Sequence, residues 1–111
     1  MAKKTITIYT IPVSTNALYR GRRFLTQRGK ENKEAIALEA MTQWRQKPLD
    51  GRIHLKVGLF FPDARKRDID NIKGLLDSFS GILYTDDSQI DRLTITKEVD
   101  RDNPRVEIEV Y

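Results

Sequence analysis

An α+β domain, a mixed β-sheet with two helices, is the fold class that this 111-residue sequence predicts. Four apolar runs read as strands, and two segments with helical apolar spacing lie between them. No internal repeat or low-complexity stretch interrupts the order strand, helix, strand, helix, strand, strand. A chain of this length buries one core but not two, so residues 1–111 are expected to form a single domain.

The elements follow from local patterning. Thr5 to Ile11 reads as a strand with Ile6 and Ile8 on one face, ending at Pro12, and "IPVSTN" reads as a loop. Thr26 is placed as the N-cap of a helix from about Gln27 to Gln46, on which Ala37, Ala40, Met41 and Trp44 recur at helical spacing; "KPLDG" ends it. From Arg52 to Phe61 the pattern alternates, with Ile53, Leu55, Val57, Leu59 and Phe61 inward and Arg52, His54 and Lys56 outward. After "PDARKR" a second helix is expected from about Asp68 to Ser80, stopped by Gly81. Two strands close the chain: Asp91 to Val99 with Leu93 and Ile95 inward, and Arg105 to Val110 with Val106, Ile108 and Val110 inward, joined by the turn "DRDNP".

Composition narrows the function. The chain has no cysteine, which excludes disulfides, thiolate chemistry and cysteine-based metal sites, so any metal must sit on oxygen ligands. A net charge of +4 and a pI near 9.5 favour polyanionic partners. No apolar run approaches the roughly 20 residues of a membrane span, and "MAKKTITIYT" is too short in apolar residues for a signal peptide. A cytoplasmic protein with no membrane partner is therefore expected.

The charge is concentrated unevenly. "RKRDIDN" sets Asp68 and Asp70 directly after Arg65, Lys66 and Arg67. Asp68 as an N-cap would complement the positive helix end, but that explains one aspartate better than two. At about 100° per residue Ile69, Ile72, Leu75, Leu76 and Phe79 share one helix face, and Asp70, Lys73, Gly74 and Asp77 share the other. A second acidic pair, Asp86 and Asp87 in "YTDDSQI", follows after a short connection and either makes an Asp-rich turn or returns near one helix end. Convergence of three or four carboxylates calls for a hard divalent cation. Mg²⁺ takes oxygen ligands, and it promotes in-line attack on a phosphodiester while nearby Arg and Lys hold the backbone. An acidic metal site within a basic surround points to a nuclease.

With those residues assembled, the chain resembles the RusA family of Holliday junction resolvases, endonucleases often carried by phages and prophages. "RDIDNI" followed by "GLLDSFSGILYTDDSQI" matches the family's Asp-x-Asp-Asn helix start, Leu-Leu-Asp segment, Gly turn and Asp-Asp-x-Gln pair. "IPVSTNALYR" resembles its N-terminal Pro-x-Ser-x-Asn loop, and "LFFPDARKR" its strand and basic approach. The resemblance implies a RusA-like homodimer, dependent on Mg²⁺ with Mn²⁺ as a substitute, that resolves four-way DNA junctions by paired nicks in recombination and repair. By position it implies Asp68, Asp70 and Asp87 as metal ligands. Asp86 would orient its neighbour or the loop, and Asp77 would support the site. The family's lysine four residues after the second Asp falls here on Gly74, with Lys73 as the nearest candidate for its catalytic role; the Asp70-to-Asp77 spacing is one residue shorter than usual.

For DNA contact, Asn16, Arg20, Arg22 and Arg23 join Arg65, Lys66 and Arg67 as candidates, within a basic cluster that also holds Arg28, Lys30 and Lys33. His54 is expected to be exposed on a strand's polar face, and Trp44 to be core rather than a base-stacking platform. The alternative reading is a non-catalytic dimeric junction-binding or regulatory protein with a vestigial metal site.

Overall fold

The computed structural model describes residues 4–11, 19–20, 24–25, 27–64 and 72–111. Its elements are β1 (Lys4–Ile8), β2 (Tyr19–Arg20), β3 (Phe24–Leu25), α1 (Gln27–Gln43), β4 (Ile53–Phe61), α2 (Ile72–Phe79), a 3₁₀ turn (Asp87–Gln89), β5 (Ile90–Val99) and β6 (Arg105–Val110). Four strands form one mixed sheet in the order β1-β6-β4-β5, while β2 and β3 pair separately. β4 and β5 are parallel, as a crossover through a helix requires, and the other pairings are antiparallel.

Strict alternation in β4 produces the core. Ile53, Leu55, Val57, Leu59 and Phe61 are all buried, as their spacing predicts. Register carries the same phase across the sheet: Ile6 lies beside Ile108, Ile108 beside Val57, and Val57 beside Ile95. The next row runs Ile8, Val106, Leu59 and Lys97. One face is thus apolar through β1, β6 and β4. The opposite face carries Thr5, Glu109, Lys56 and Thr94 in one row and Thr7, Glu107, Gly58 and Thr96 in the next.

α1 is built largely from good helix formers, and it buries Gly29, Ile36 and Ala40. It ends at Gln43, three residues before its expected end, and Trp44 follows with its ring 6% exposed in the core. Met41, by contrast, is 58% exposed and does not belong to the buried stripe. The buried positions run Ile36, Ala40, Trp44, and position 41 is rotated about 100° from position 40. The polar side of α1 grips β1. Gln43 Oε1 accepts from the Thr7 amide at 2.8 Å and its Nε2 donates to the Thr7 carbonyl at 2.6 Å, while Glu39 accepts from the amides of Tyr9 and Thr10 at 2.6 and 3.1 Å. These bonds occupy the outer edge of the sheet, and β1 ends at Ile8 rather than reaching Ile11.

α2 packs on α1 and buries Leu75 and Phe79, with Ile72 and Leu76 partly buried. Gly74 departs from its expected place on the outward face. It is buried, and its carbonyl accepts from the buried Ser78 hydroxyl at 2.8 Å. Gly81 adopts φ +85°, where glycine is unstrained, and its amide donates to the Tyr84 carbonyl at 2.7 Å, ending the helix as predicted.

β5 is the element that differs most from expectation. Leu93 has the inward phase but is 39% exposed, because β5 lies at the sheet edge beyond the helices. Ile95 is half-buried. The β5–β6 turn is tied by Arg105, which pairs with Asp100 at 2.7 Å and Glu107 at 2.9 Å and lies 4.0 Å above the Phe60 ring. His54 is half-buried rather than exposed, its ring edge-on to Tyr111 at 5.5 Å between centroids.

Candidate acidic active site

The acidic turn rests on Tyr84. Its side chain is 0% exposed, and its hydroxyl donates to the Leu76 carbonyl at 2.7 Å, joining the segment after Gly81 to the middle of α2. Asp77 follows Leu76 directly, so this bond also fixes the backbone that carries Asp77. Burial raises the Tyr84 phenol well above its ordinary value, and the charges of Asp87, Asp77 and Asp86, in that order, raise it further. Three carboxylates from two elements therefore act on one buried phenol. The crossover brings Asp77 and the Asp86–Asp87 pair to one neighbourhood.

Asp86 and Asp87 do different work. Asp86 is the N-cap of the 3₁₀ turn, and its Oδ2 accepts from the Ser88 amide at 3.0 Å. Hydrogen bonds from Ser88 hold its carboxyl below the usual aspartate range. Asp87 is half-buried, and among the described residues no hydrogen bond or ion pair engages its carboxylate. The turn thus sets a capped acid beside an uncommitted one.

Gln89 completes the turn from the other side. Its Oε1 accepts from the amides of Thr85 at 2.8 Å and Asp86 at 2.9 Å, closing a capping box. Its Nε2 donates to the carbonyls of Leu49 and Gly51 at 2.8 and 2.9 Å. The Leu49 amide in turn donates to the Leu83 carbonyl at 2.9 Å. One amide side chain thus binds the acidic turn to the loop that feeds β4. Gln89 enters the sequence reading only as the last residue of the Asp-Asp-x-Gln motif, with no role, although the Asp86-x-x-Gln89 spacing is itself a capping-box signature; Tyr84 carries no such local signal.

Of the remaining sequence-predicted residues, Lys73 is exposed on α2, one turn before the half-buried Asp77. Arg20 lies in β2, and Arg28 and Lys30 are exposed on the first turn of α1. Asn16, Arg22, Arg23, Arg65, Lys66, Arg67, Asp68 and Asp70 lie outside the described residues, as do the expected loop at Pro12 and cap at Thr26. Among the described residues no group of three acidic or histidine side chains forms a metal site, so Asp87 would need ligands from elsewhere in the chain. Its oxygen donors are of the kind a hard cation takes.

The model of the family described as "Endodeoxyribonuclease RusA" matches residues 12–111. The chain belongs to the RusA family. That match spans β2 through β6 and the whole acidic turn, and it makes the chain a member of an endodeoxyribonuclease family. No curated protein matches it. No described helix of this RusA-family chain is long and apolar enough to cross a membrane.

Proposed function

We propose that this RusA-family protein is a Mg²⁺-dependent, structure-selective endodeoxyribonuclease that resolves Holliday junctions by paired nicks, one from each subunit of a homodimer, in recombination and repair. The observation that carries the proposal is the acidic turn: within a chain matched to an endodeoxyribonuclease family over residues 12–111, Asp86 is consumed in capping and Asp87 is presented without a described partner. Asp68 and Asp70 supply the further oxygen ligands. Bound there, the ion would lower the pKa of a water and offset charge on the phosphate.

The side chains divide the remaining tasks. Asp86, Tyr84 and Gln89 hold the turn so that Asp87 keeps one orientation, which limits reorganisation as charge develops. Lys73, exposed one turn from Asp77, offers its ammonium to the phosphate oxygens. Asn16, Arg20, Arg22, Arg23, Arg65, Lys66 and Arg67 meet the DNA backbone. Water oxygen bonds to phosphorus as the bridging P–O bond breaks, and the leaving oxygen takes a proton, so each nick leaves one phosphate and one hydroxyl end.

Cleavage of mobile and fixed synthetic four-way junctions, with and without Mg²⁺ or Mn²⁺, tests this reading; metal-dependent symmetric nicks support it. A second reading, a dimeric junction-binding protein with a vestigial metal site, draws on the burial of Gly74 at the position of the family's lysine. Binding of a junction that is never nicked with either ion would favour that second reading.

A further inference from the structure

Both helices bury their apolar positions in the core on one face of the sheet, which leaves the polar face as a surface of side chains from β1, β6, β4 and β5. Charge is not spread evenly over it. The row nearest the acidic turn runs Tyr111, His54, Arg92: the backbones of Tyr111 and His54 exchange hydrogen bonds at 2.6 and 3.0 Å, and His54 lies beside Arg92 in the β4–β5 register. The next row sets Lys56 between Glu109 and Thr94. At the far end Arg105 and Glu98 flank Phe60, and Arg105 is already held by Asp100 and Glu107. The exposed cations Arg92 and Lys56 therefore sit at the end of the face where the acidic turn enters β5, together with two aromatic rings packed edge-on at 5.5 Å between centroids.

An irregularity in the pairing produces this row. Ile53 lies beside Ile90 but His54 beside Arg92, so β5 holds one extra residue, Asp91, between the two pairs. Uninterrupted pairing would set the Asp91 carboxylate next to His54; the shift sets a guanidinium there instead. Such irregularities re-aim side chains beside active sites. Arg92 follows Gln89, the last residue of the acidic turn, by three positions, at most roughly 10 Å of extended strand.

We infer that the row Tyr111, His54, Arg92, with Lys56 behind it, is a further DNA contact that receives an unpaired strand. Arg92 and Lys56 meet its phosphates, and an unstacked base lies against Tyr111, which is 40% exposed and backed by His54. The inference rests on the reading of this chain as a protein that acts on DNA, and it adds residues to which that reading gives no part. Inside a duplex the faces of the bases are covered by their neighbours, so an aromatic side chain engages a base only where the stack is broken, as at the exchange point of a branched DNA. A strand held here leads toward the acidic turn. The row thereby favours branched over linear DNA.

Binding measured in EDTA tests this without cleavage, by fluorescence anisotropy of a single-stranded oligonucleotide, a four-way junction and a linear duplex across a salt series. Arg92→Gln and Lys56→Gln change exposed positions outside the core, and each should flatten the slope of log Kd against log salt for the single strand by about 0.7. Arg101→Gln, the same charge change in the β5–β6 turn at the far end, should leave that slope as it is. Tyr111→Leu keeps the backbone pairing with His54 and should weaken single-strand and junction binding about tenfold, with duplex binding unchanged. Unaltered slopes in Arg92→Gln and Lys56→Gln, an equal change in Arg101→Gln, or a Tyr111→Leu loss as large on linear duplex would overturn the inference. A wild-type protein that binds in this way but never nicks a junction in Mg²⁺ would count against the nuclease reading alone.

Discussion

Gln89 Nε2 lies 2.8 Å from the Leu49 carbonyl oxygen, joining two loops 40 residues apart in sequence. The same side chain accepts from the Asp86 amide, so the β4 entry and the acidic turn are held by one group with two donors and one acceptor oxygen in use. Gln89→Glu keeps the acceptor and removes both donors, setting a carboxylate against two carbonyls. Urea denaturation should show a loss of about 1–3 kcal/mol. If Gln89 positions Asp87, the Mg²⁺ concentration for half-maximal cleavage should also rise about 10–100-fold. An unchanged metal requirement would confine Gln89 to stability.

Tyr84 should remain protonated far beyond the range of an exposed phenol. Its native value is raised by burial and then by Asp87, Asp77 and Asp86, so its contribution to stability is fully present below the ordinary phenol value near 10 and is lost as pH rises beyond it. Spectroscopic titration should show one of the four tyrosines ionising only on unfolding. Tyr84→Phe should flatten the alkaline fall in stability, and at neutral pH it should cost about 1 kcal/mol through the bond lost to the Leu76 carbonyl.

The two turn aspartates should separate cleanly by substitution. Asp86→Asn retains a capping oxygen and should keep most cleavage, whereas Asp87→Asn should reduce it about a hundredfold or more without unfolding the chain. Because hydrogen bonds from Ser88 depress the Asp86 carboxyl, its charged cap is present above the ordinary aspartate range and is lost as pH falls through that depressed value. The acid limb of a thermal-melting profile should shrink in Asp86→Asn. Equal cleavage by Asp87→Asn and the parent would remove Asp87 from the site.

Gly74 and Lys73 bear on the lysine that the resemblance places at position 74. Gly74→Lys forces a long charged side chain from a buried position and should destabilise the fold by several kcal/mol rather than enhance cleavage. Lys73→Met should leave junction binding intact and slow cleavage about tenfold or more. Full activity in Lys73→Met would show that the exposed ammonium takes no part.

Much of the architecture was legible because it rests on a period. The alternation of Ile53 through Phe61 identified β4 and its buried face, and Val106, Ile108 and Val110 did the same for β6. Periodicity assigns a face, however, and does not say what covers it. Leu93 has the correct phase yet lies beyond the helical layer, and Met41 is apolar but a step off the stripe of Ile36, Ala40 and Trp44. Helical phase assigns Gly74 to the outward face, yet it is buried. At the acidic turn the carboxylates were visible as a cluster of charge. The supports under them, Tyr84 reaching Leu76 and Gln89 reaching Leu49, join residues whose proximity only the folded crossover creates.

The most direct test of the proposed function is cleavage of a synthetic four-way junction in Mg²⁺ by the wild-type protein and by Asp70→Asn, with junction binding measured alongside. Symmetric nicks by the wild type, lost by about a hundredfold or more in Asp70→Asn while binding is retained, are the predicted result. Undiminished nicking by Asp70→Asn, or no nicking by a wild-type protein that binds the junction, would contradict it.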